Sequence, residues 1–160
     1  METLWAPWRM QYILGPKSGE CIFCAFPARN THREDLVLAV RDQGFVCLNK
    51  YPFAAGHLLV APKRHVADIT QLTDAENHAL FDLVRETAGI LKGATRCEGM
   101  NIGLNLGTSG GAGIAEHVHV HLVPRWGGDS NFMPVIADTR VMPEYLEETW
   151  KRLLPLFQGR

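Results

Sequence analysis

Seven consecutive residues, His117-Val118-His119-Val120-His121-Leu122-Val123, place an imidazole at every second position. In an extended strand successive side chains point to opposite faces, so the three histidines share one face while Val118, Val120 and Leu122 fill the other. A lone histidine in a sheet is most simply a satisfied polar residue. Three in strict alternation, out of seven in the chain, point to chemistry. Imidazole binds metals and does acid–base or nucleophilic work near neutral pH. Strand geometry limits the metal reading, because positions i and i+4 lie about 13 Å apart, too far for all three rings to meet one ion at a ligand distance of about 2 Å. At most a neighbouring pair shares a metal, which leaves imidazole for a substrate, and phosphate chemistry fits what precedes it.

Residues 107–113, Gly-Thr-Ser-Gly-Gly-Ala-Gly, lead into that strand. A loop of this kind lets backbone N–H groups converge on an anion, with Thr108, Ser109 and Gly111 as the candidate contacts. A mobile strand connection would use the same residues. The loop is neither a Walker loop, lacking Gly-Lys-Ser/Thr, nor a dinucleotide fingerprint, since no long helix follows. Cys21-x-x-Cys24 is half of a tetrahedral zinc site or a redox pair, and without a thioredoxin-like helix opening around it metal is favoured. Cys47 alternates into a strand as a core thiol, and Cys97 has no evident role.

The elements that must position these residues follow from periodicity. Residues 36–40 and 45–49 read as an antiparallel hairpin around Asp42-Gln43-Gly44, and residues 57–61 as a third strand closed by Pro62. Thr73-Asp74-Ala75-Glu76 forms a capping box, followed by Leu80, Leu83, Val84, Thr87, Ile90, Leu91 and Ala94 at helical spacing. Residues 100–106 alternate Asn101, Gly103 and Asn105 against Ile102, Leu104 and Leu106, and residues 117–123 form another strand. Pro143 opens a last helix carrying Tyr145, Leu146, Trp150, Leu153 and Leu154. Near the start, Trp5, Trp8 and Tyr12 surround Pro7, with a short helix over 8–13 and a linker over 15–19. Strands, helix, strands, helix predict α+β with an antiparallel sheet, one long and one C-terminal helix, not βαβ units.

Composition sets the bounds. Sixteen Lys and Arg against seventeen Asp and Glu over 160 residues, with 46% apolar residues, describe an ordinary soluble domain. The near-zero net charge argues against extended nucleic acid as the ligand. No run of about 20 apolar residues is present, and an acid stands where a signal peptide carries basic residues. A cytoplasmic protein is expected, with its cysteines as thiols or metal ligands.

The His-x-His-x-His-x-x pattern with apolar residues at each x resembles the signature of the histidine triad (HIT) superfamily of nucleotidyl hydrolases and transferases. The likeness runs from about Ile22 to Asp129 and includes Asn49, Gly56-His57 and Pro62. Asn101 to Ser109, Glu116, and Pro124-Arg125-Trp126-Gly127-Gly128-Asp129 look like the diadenosine tetraphosphate (Ap4A) phosphorylase-like branch, as does Leu4-Trp5-Ala6-Pro7-Trp8-Arg9-Met10.

The resemblance implies a dimeric HIT-like fold, with an N-terminal arm over 1–20, a HIT domain over 21–130 and a C-terminal extension over 131–160. It implies His119 as the nucleophile on the α-phosphorus, giving an AMP-histidine. About three-quarters of an ordinary imidazole is neutral at pH 7, so no separate base is required. His121 would position phosphate oxygens and His57 would support the triad. By the same likeness Asn49 binds ribose, Ile22 and Phe23 line the base pocket, Asn105 touches phosphate, and Trp126 covers the substrate or sits in a core or interface. In zinc-carrying members the remaining ligands correspond to His65 and His117, completing a set with Cys21 and Cys24. No redox cofactor is implied.

One departure stands out: where other triad hydrolases carry Gln or Ser four residues before the first triad histidine, this chain has Gly113. The implied activity is cleavage of dinucleoside polyphosphates, with phosphate or water as acceptor and AMP, ATP and diadenosine polyphosphates as ligands. The alternatives are an adenosine phosphoramidase or acyl-adenylate hydrolase, and a nucleotide-binding protein with little turnover.

Overall fold

The computed structural model describes residues 20–29, 32–129 and 142–158. The expected aromatic arm, the helix over 8–13 and the linker over 15–19 lie outside the described residues.

A short helix α1 (Ile22–Ala25) is followed by strands β1 (Val37–Val40), β2 (Gly44–Leu48) and β3 (Leu58–Pro62). After a 3-10 turn come the long helix α2 (Asp74–Thr95), strands β4 (Gly99–Leu104) and β5 (Val120–Arg125), and the helix α3 (Leu146–Gln158). The five strands form one sheet in the order β1-β2-β3-β5-β4, and every neighbouring pair is antiparallel. This is the expected α+β class.

Sheet alternation divides the apolar residues between two clusters. On one face Leu58, Val60, Val120 and Leu122 pack with Leu80, Leu83, Val84 and Leu91 of α2 and Leu153 and Phe157 of α3. On the other a smaller cluster joins Phe23 of α1 to Val37, Phe45, Cys47, Leu59 and Ala61. Leu59 pairs with His121 in register, so the histidine face is the face of the smaller cluster. α2 starts where the capping box predicts: Thr73 accepts from the Glu76 N–H while the Glu76 side chain accepts from the Thr73 N–H.

Element ends shift for physical reasons. β1 begins at Val37 and not Leu36, because Leu36 takes a left-handed backbone at φ 57°. β2 and β3 each sit one residue from the expected span, at Gly44–Leu48 and Leu58–Pro62. β4 ends at Leu104 rather than 106, and as an edge strand it leaves Ile102 48% exposed, although Met100 and Leu104 pack on the larger core. The expected strand over 117–123 is Val120–Arg125. Its ladder with β3 stops at Val60–Val120, and the Val118 N–H leaves the sheet to reach the Val66 carbonyl at 2.7 Å. The three rings nonetheless stay on one side: Phe23 touches the rings of both His117 and His119, and the His119 and His121 centroids are 4.9 Å apart. Pro143 and Tyr145 precede the last helix. The Tyr145 carbonyl takes the Thr149 N–H at 3.0 Å, and the residue is 85% exposed, contrary to the expected apolar face.

Candidate active site

Within the triad only His121 lies in β5, His117 and His119 directly preceding the strand, and four hydrogen bonds decide which nitrogen of each ring is available. His119 Nδ1 lies 2.8 Å from the backbone carbonyl of His117. A carbonyl only accepts, so Nδ1 carries the proton and Nε2 bears the lone pair. His117 Nε2 lies 2.8 Å from the Pro62 carbonyl, so its Nδ1 is the lone-pair nitrogen. His57 Nδ1 accepts the Phe53 N–H at 3.0 Å, which puts its proton on Nε2, 2.9 Å from His121 Nδ1. His121 must therefore accept at Nδ1 and carry its own proton on Nε2. The result is one lone-pair nitrogen and one N–H donor on adjacent rings whose centroids are 4.9 Å apart.

Burial tunes the same groups. Desolvation lowers the His119 pKa below the ordinary histidine value, partly opposed by its bond to the His117 carbonyl, and so favours the neutral imidazole. His117 is lowered in the same way, against its bond to Pro62.

His117 also belongs to a second group. Its Nδ1 lies 3.4 Å from Cys21 Sγ and 3.6 Å from Cys24 Sγ, and Cys24 Sγ lies 3.2 Å from His65 Nδ1. All four ligand atoms fall within 4.8 Å of one another. A tetrahedron with Zn–S near 2.3 Å and Zn–N near 2.1 Å would separate its corners by about 3.5 Å, so the donor set fits such an ion. Partial burial and the neighbouring Cys21 push the Cys24 thiol up to about 11, so metal binding must displace a proton. Cys47, by contrast, is pushed up to about 12 by complete burial and is an inert core thiol.

The other expected residues fall into place unevenly. Phe23 is 1% exposed, its ring 4.9 Å from that of His119 and 5.5 Å from that of His117, so it forms a wall behind the triad. Ile22 beside it is 36% exposed. Asn49 accepts the Tyr51 N–H at 2.9 Å and directs its amide at His57 Nδ1, 3.3 Å away. In the glycine loop the Gly111 N–H meets the Thr108 carbonyl at 3.0 Å, and Asn105 Nδ2 reaches the Gly111 carbonyl at 3.4 Å. Thr108 and Ser109 are exposed. Gly110 is sterically required, since a Cβ there would collide with the Leu106 carbonyl oxygen.

Trp126 is not brought to the triad within one chain. β5 runs away from it, and five residues at about 3.3 Å each put Trp126 some 17 Å beyond His121, where it borders a cavity of about 350 Å³ with Ala94, Thr95, Pro143, Glu144 and Arg152. Sequence reasoning missed Phe53 and the His117 and Pro62 carbonyls. The carbonyls leave no trace in residue type, and Phe53 stands in an aperiodic turn whose only signal is its position four residues before His57.

An antiparallel sheet whose fifth strand is led in by alternating histidines, with a lone-pair nitrogen and an N–H donor on adjacent rings, is the arrangement of a histidine triad protein. Residues 30–128 match the HIT domain, and the chain belongs to that family. It is 40% identical to a Mycobacterium tuberculosis protein named AP-4-A phosphorylase, over 96% of this chain and 83% of the relative. It is similar in structure to a hypothetical histidine triad nucleotide-binding protein from Sulfolobus tokodaii, at TM-score 0.71 and 27% identity over 87% of this chain and 93% of that one. A Zn-bound histidine triad family protein from Mycobacterium smegmatis superposes at TM-score 0.70 and 25% identity, over 88% of this chain and 94% of the other.

Proposed function

We propose that this chain cleaves dinucleoside polyphosphates, with diadenosine tetraphosphate as the leading substrate. The observation that carries the reading is the 2.8 Å bond from His119 Nδ1–H to the His117 carbonyl, which leaves Nε2 as a neutral nucleophile. Nε2 attacks the α-phosphorus, an N–P bond forms, and the P–O bond to ATP breaks. The His121 Nε2–H stabilises charge on the phosphoryl oxygens. Phosphate or water then attacks the AMP-histidine, the N–P bond breaks, and ADP or AMP leaves with His119 restored. The 40% identity to the M. tuberculosis phosphorylase supports phosphate as acceptor. Gly113 supports it too, because it offers no side chain to hold a water at the scissile phosphate.

Asn49 would hold ribose, Ile22 and Phe23 the base, and Asn105, Thr108, Ser109 and Gly111 the phosphates. Cys21, Cys24, His65 and His117 would hold one zinc ion. It would supply structural cross-linking, while the chain's own residues perform the transfer. The unit at work would be a cytoplasmic homodimer, its HIT domain over 21–130 framed by the arm over 1–20 and the extension over 131–160. The remoteness of Trp126 makes its substrate contact depend on a second copy.

The deciding experiment is chromatography of products from the purified protein and diadenosine tetraphosphate, with and without inorganic phosphate. ATP plus ADP only with phosphate is the expected result. ATP plus AMP regardless of phosphate would make water the acceptor, and no turnover would overturn the reading in favour of small adenylates as substrates.

A further inference from the structure

The loop that joins β2 to β3 carries Phe53, a residue neither the triad pattern nor either apolar cluster accounts for. Its ring lies over both members of the His57–His121 pair: the centroid is 4.7 Å from that of His57 at 40°, and 5.8 Å from that of His121 at 19°. These separations fall within the range of favourable aromatic pairs. Its backbone N–H is also the donor that sets the His57 tautomer. Phe53 is 40% exposed, whereas His57 is fully buried, so the ring stacked on the pair stands on its solvent side. Asn49 supports the same geometry, since its oxygen is taken by the Tyr51 N–H and its amide therefore faces His57 Nδ1.

We propose that Phe53 is a positioning residue: by stacking on His121 and His57 it holds the loop so that its N–H fixes the His57 tautomer, and thereby keeps the His121 Nε2–H aimed at the reacting phosphoryl group. The role in turnover rests on the reaction proposed above; the role in fixing the tautomers does not. A ring that merely filled space would be replaceable by any apolar side chain of similar size. A ring that held the tautomers would be replaceable only by another aromatic.

The test compares the full-length protein with Phe53→Ala, Phe53→Leu and Phe53→Tyr, using 15N shifts of the histidine ring nitrogens together with kinetics on diadenosine tetraphosphate. In the parent protein His57 and His121 are expected as single Nε2–H tautomers. In Phe53→Ala and Phe53→Leu one or both become tautomer-averaged, and kcat falls about tenfold with KM changed less than about threefold. Phe53→Tyr restores spectrum and kcat together. Unchanged ring shifts in both Phe53→Ala and Phe53→Leu would overturn the proposal, as would a rise in KM alone, which marks a substrate contact. If the parent protein does not turn the dinucleotide over, the functional reading fails while the nitrogen shifts still decide the role of Phe53.

Discussion

The attack proposed for His119 needs no catalytic base, because a hydrogen bond to the main chain already sets the tautomer of its ring. His119 Nδ1 is fixed by the carbonyl two residues earlier, so its reactive nitrogen is available without proton removal. His119→Asn is therefore expected to reduce turnover at least about a thousandfold while nucleotide still binds, measured by single-turnover kinetics beside calorimetry. Retained turnover would exclude His119 as the attacking group. Acceptor choice belongs to the same scale. Gly113→Gln should raise the share of AMP over ADP at fixed phosphate, and an unchanged product ratio would remove Gly113 from the explanation. The triad's shared face was legible from spacing alone. The tautomers were not, because the groups that set them are the carbonyls of His117 and Pro62 and the N–H of Phe53, which no residue type announces.

Among the elements, α2 shows how a local signal and a tertiary one combine. Its N-terminus is closed by Thr73 and Glu76, and Glu76 also receives Arg64, whose Nε lies 2.5 Å from its carboxylate. Thr73→Ala should cost about 1 kcal/mol in urea denaturation. The Arg64 and Thr73 bonds hold the Glu76 pKa down to about 2, from 4.5. A depressed carboxyl contributes stability that is full above its unfolded value, so this contribution should fade as pH falls from about 4.5 towards 2. Comparing the denaturant midpoints of the parent and Glu76→Gln through that window checks the sign, since their difference should narrow on acidification.

Farther along α2, the Thr87 hydroxyl is buried without a hydrogen-bond partner among the described residues. Thr87→Val, nearly isosteric, should raise stability by about 1 kcal/mol; a loss would mean that the hydroxyl has a partner. The capping box and apolar stripe were readable because both are local. The start of β5 was not, since it depends on where β3 stops pairing.

At the scale of the molecule, His117 ties two groups together: its ring faces Cys21 and Cys24, while its carbonyl accepts from His119 Nδ1. Bound metal should therefore affect both stability and rate. Elemental analysis is expected to find one zinc per chain. Its removal by a chelator, or the change Cys24→Ser, should lower Tm by more than about 5 °C and lower kcat, with zinc restoring both in the chelated protein. A Tm indifferent to chelation would dismiss the metal. Sequence by itself determined the antiparallel α+β class, the long capped helix, the common face of His117, His119 and His121, and a cysteine pair suited to metal. All of these follow from periodicity or spacing within a few residues. Only the tertiary structure decided that residues 21, 24, 65 and 117 converge, that Phe53 covers the His57–His121 pair, and that Trp126 stands at the far end of β5. Each depends on contacts between segments distant in the chain or on the course of a strand through the sheet, and packing of the whole fold sets those.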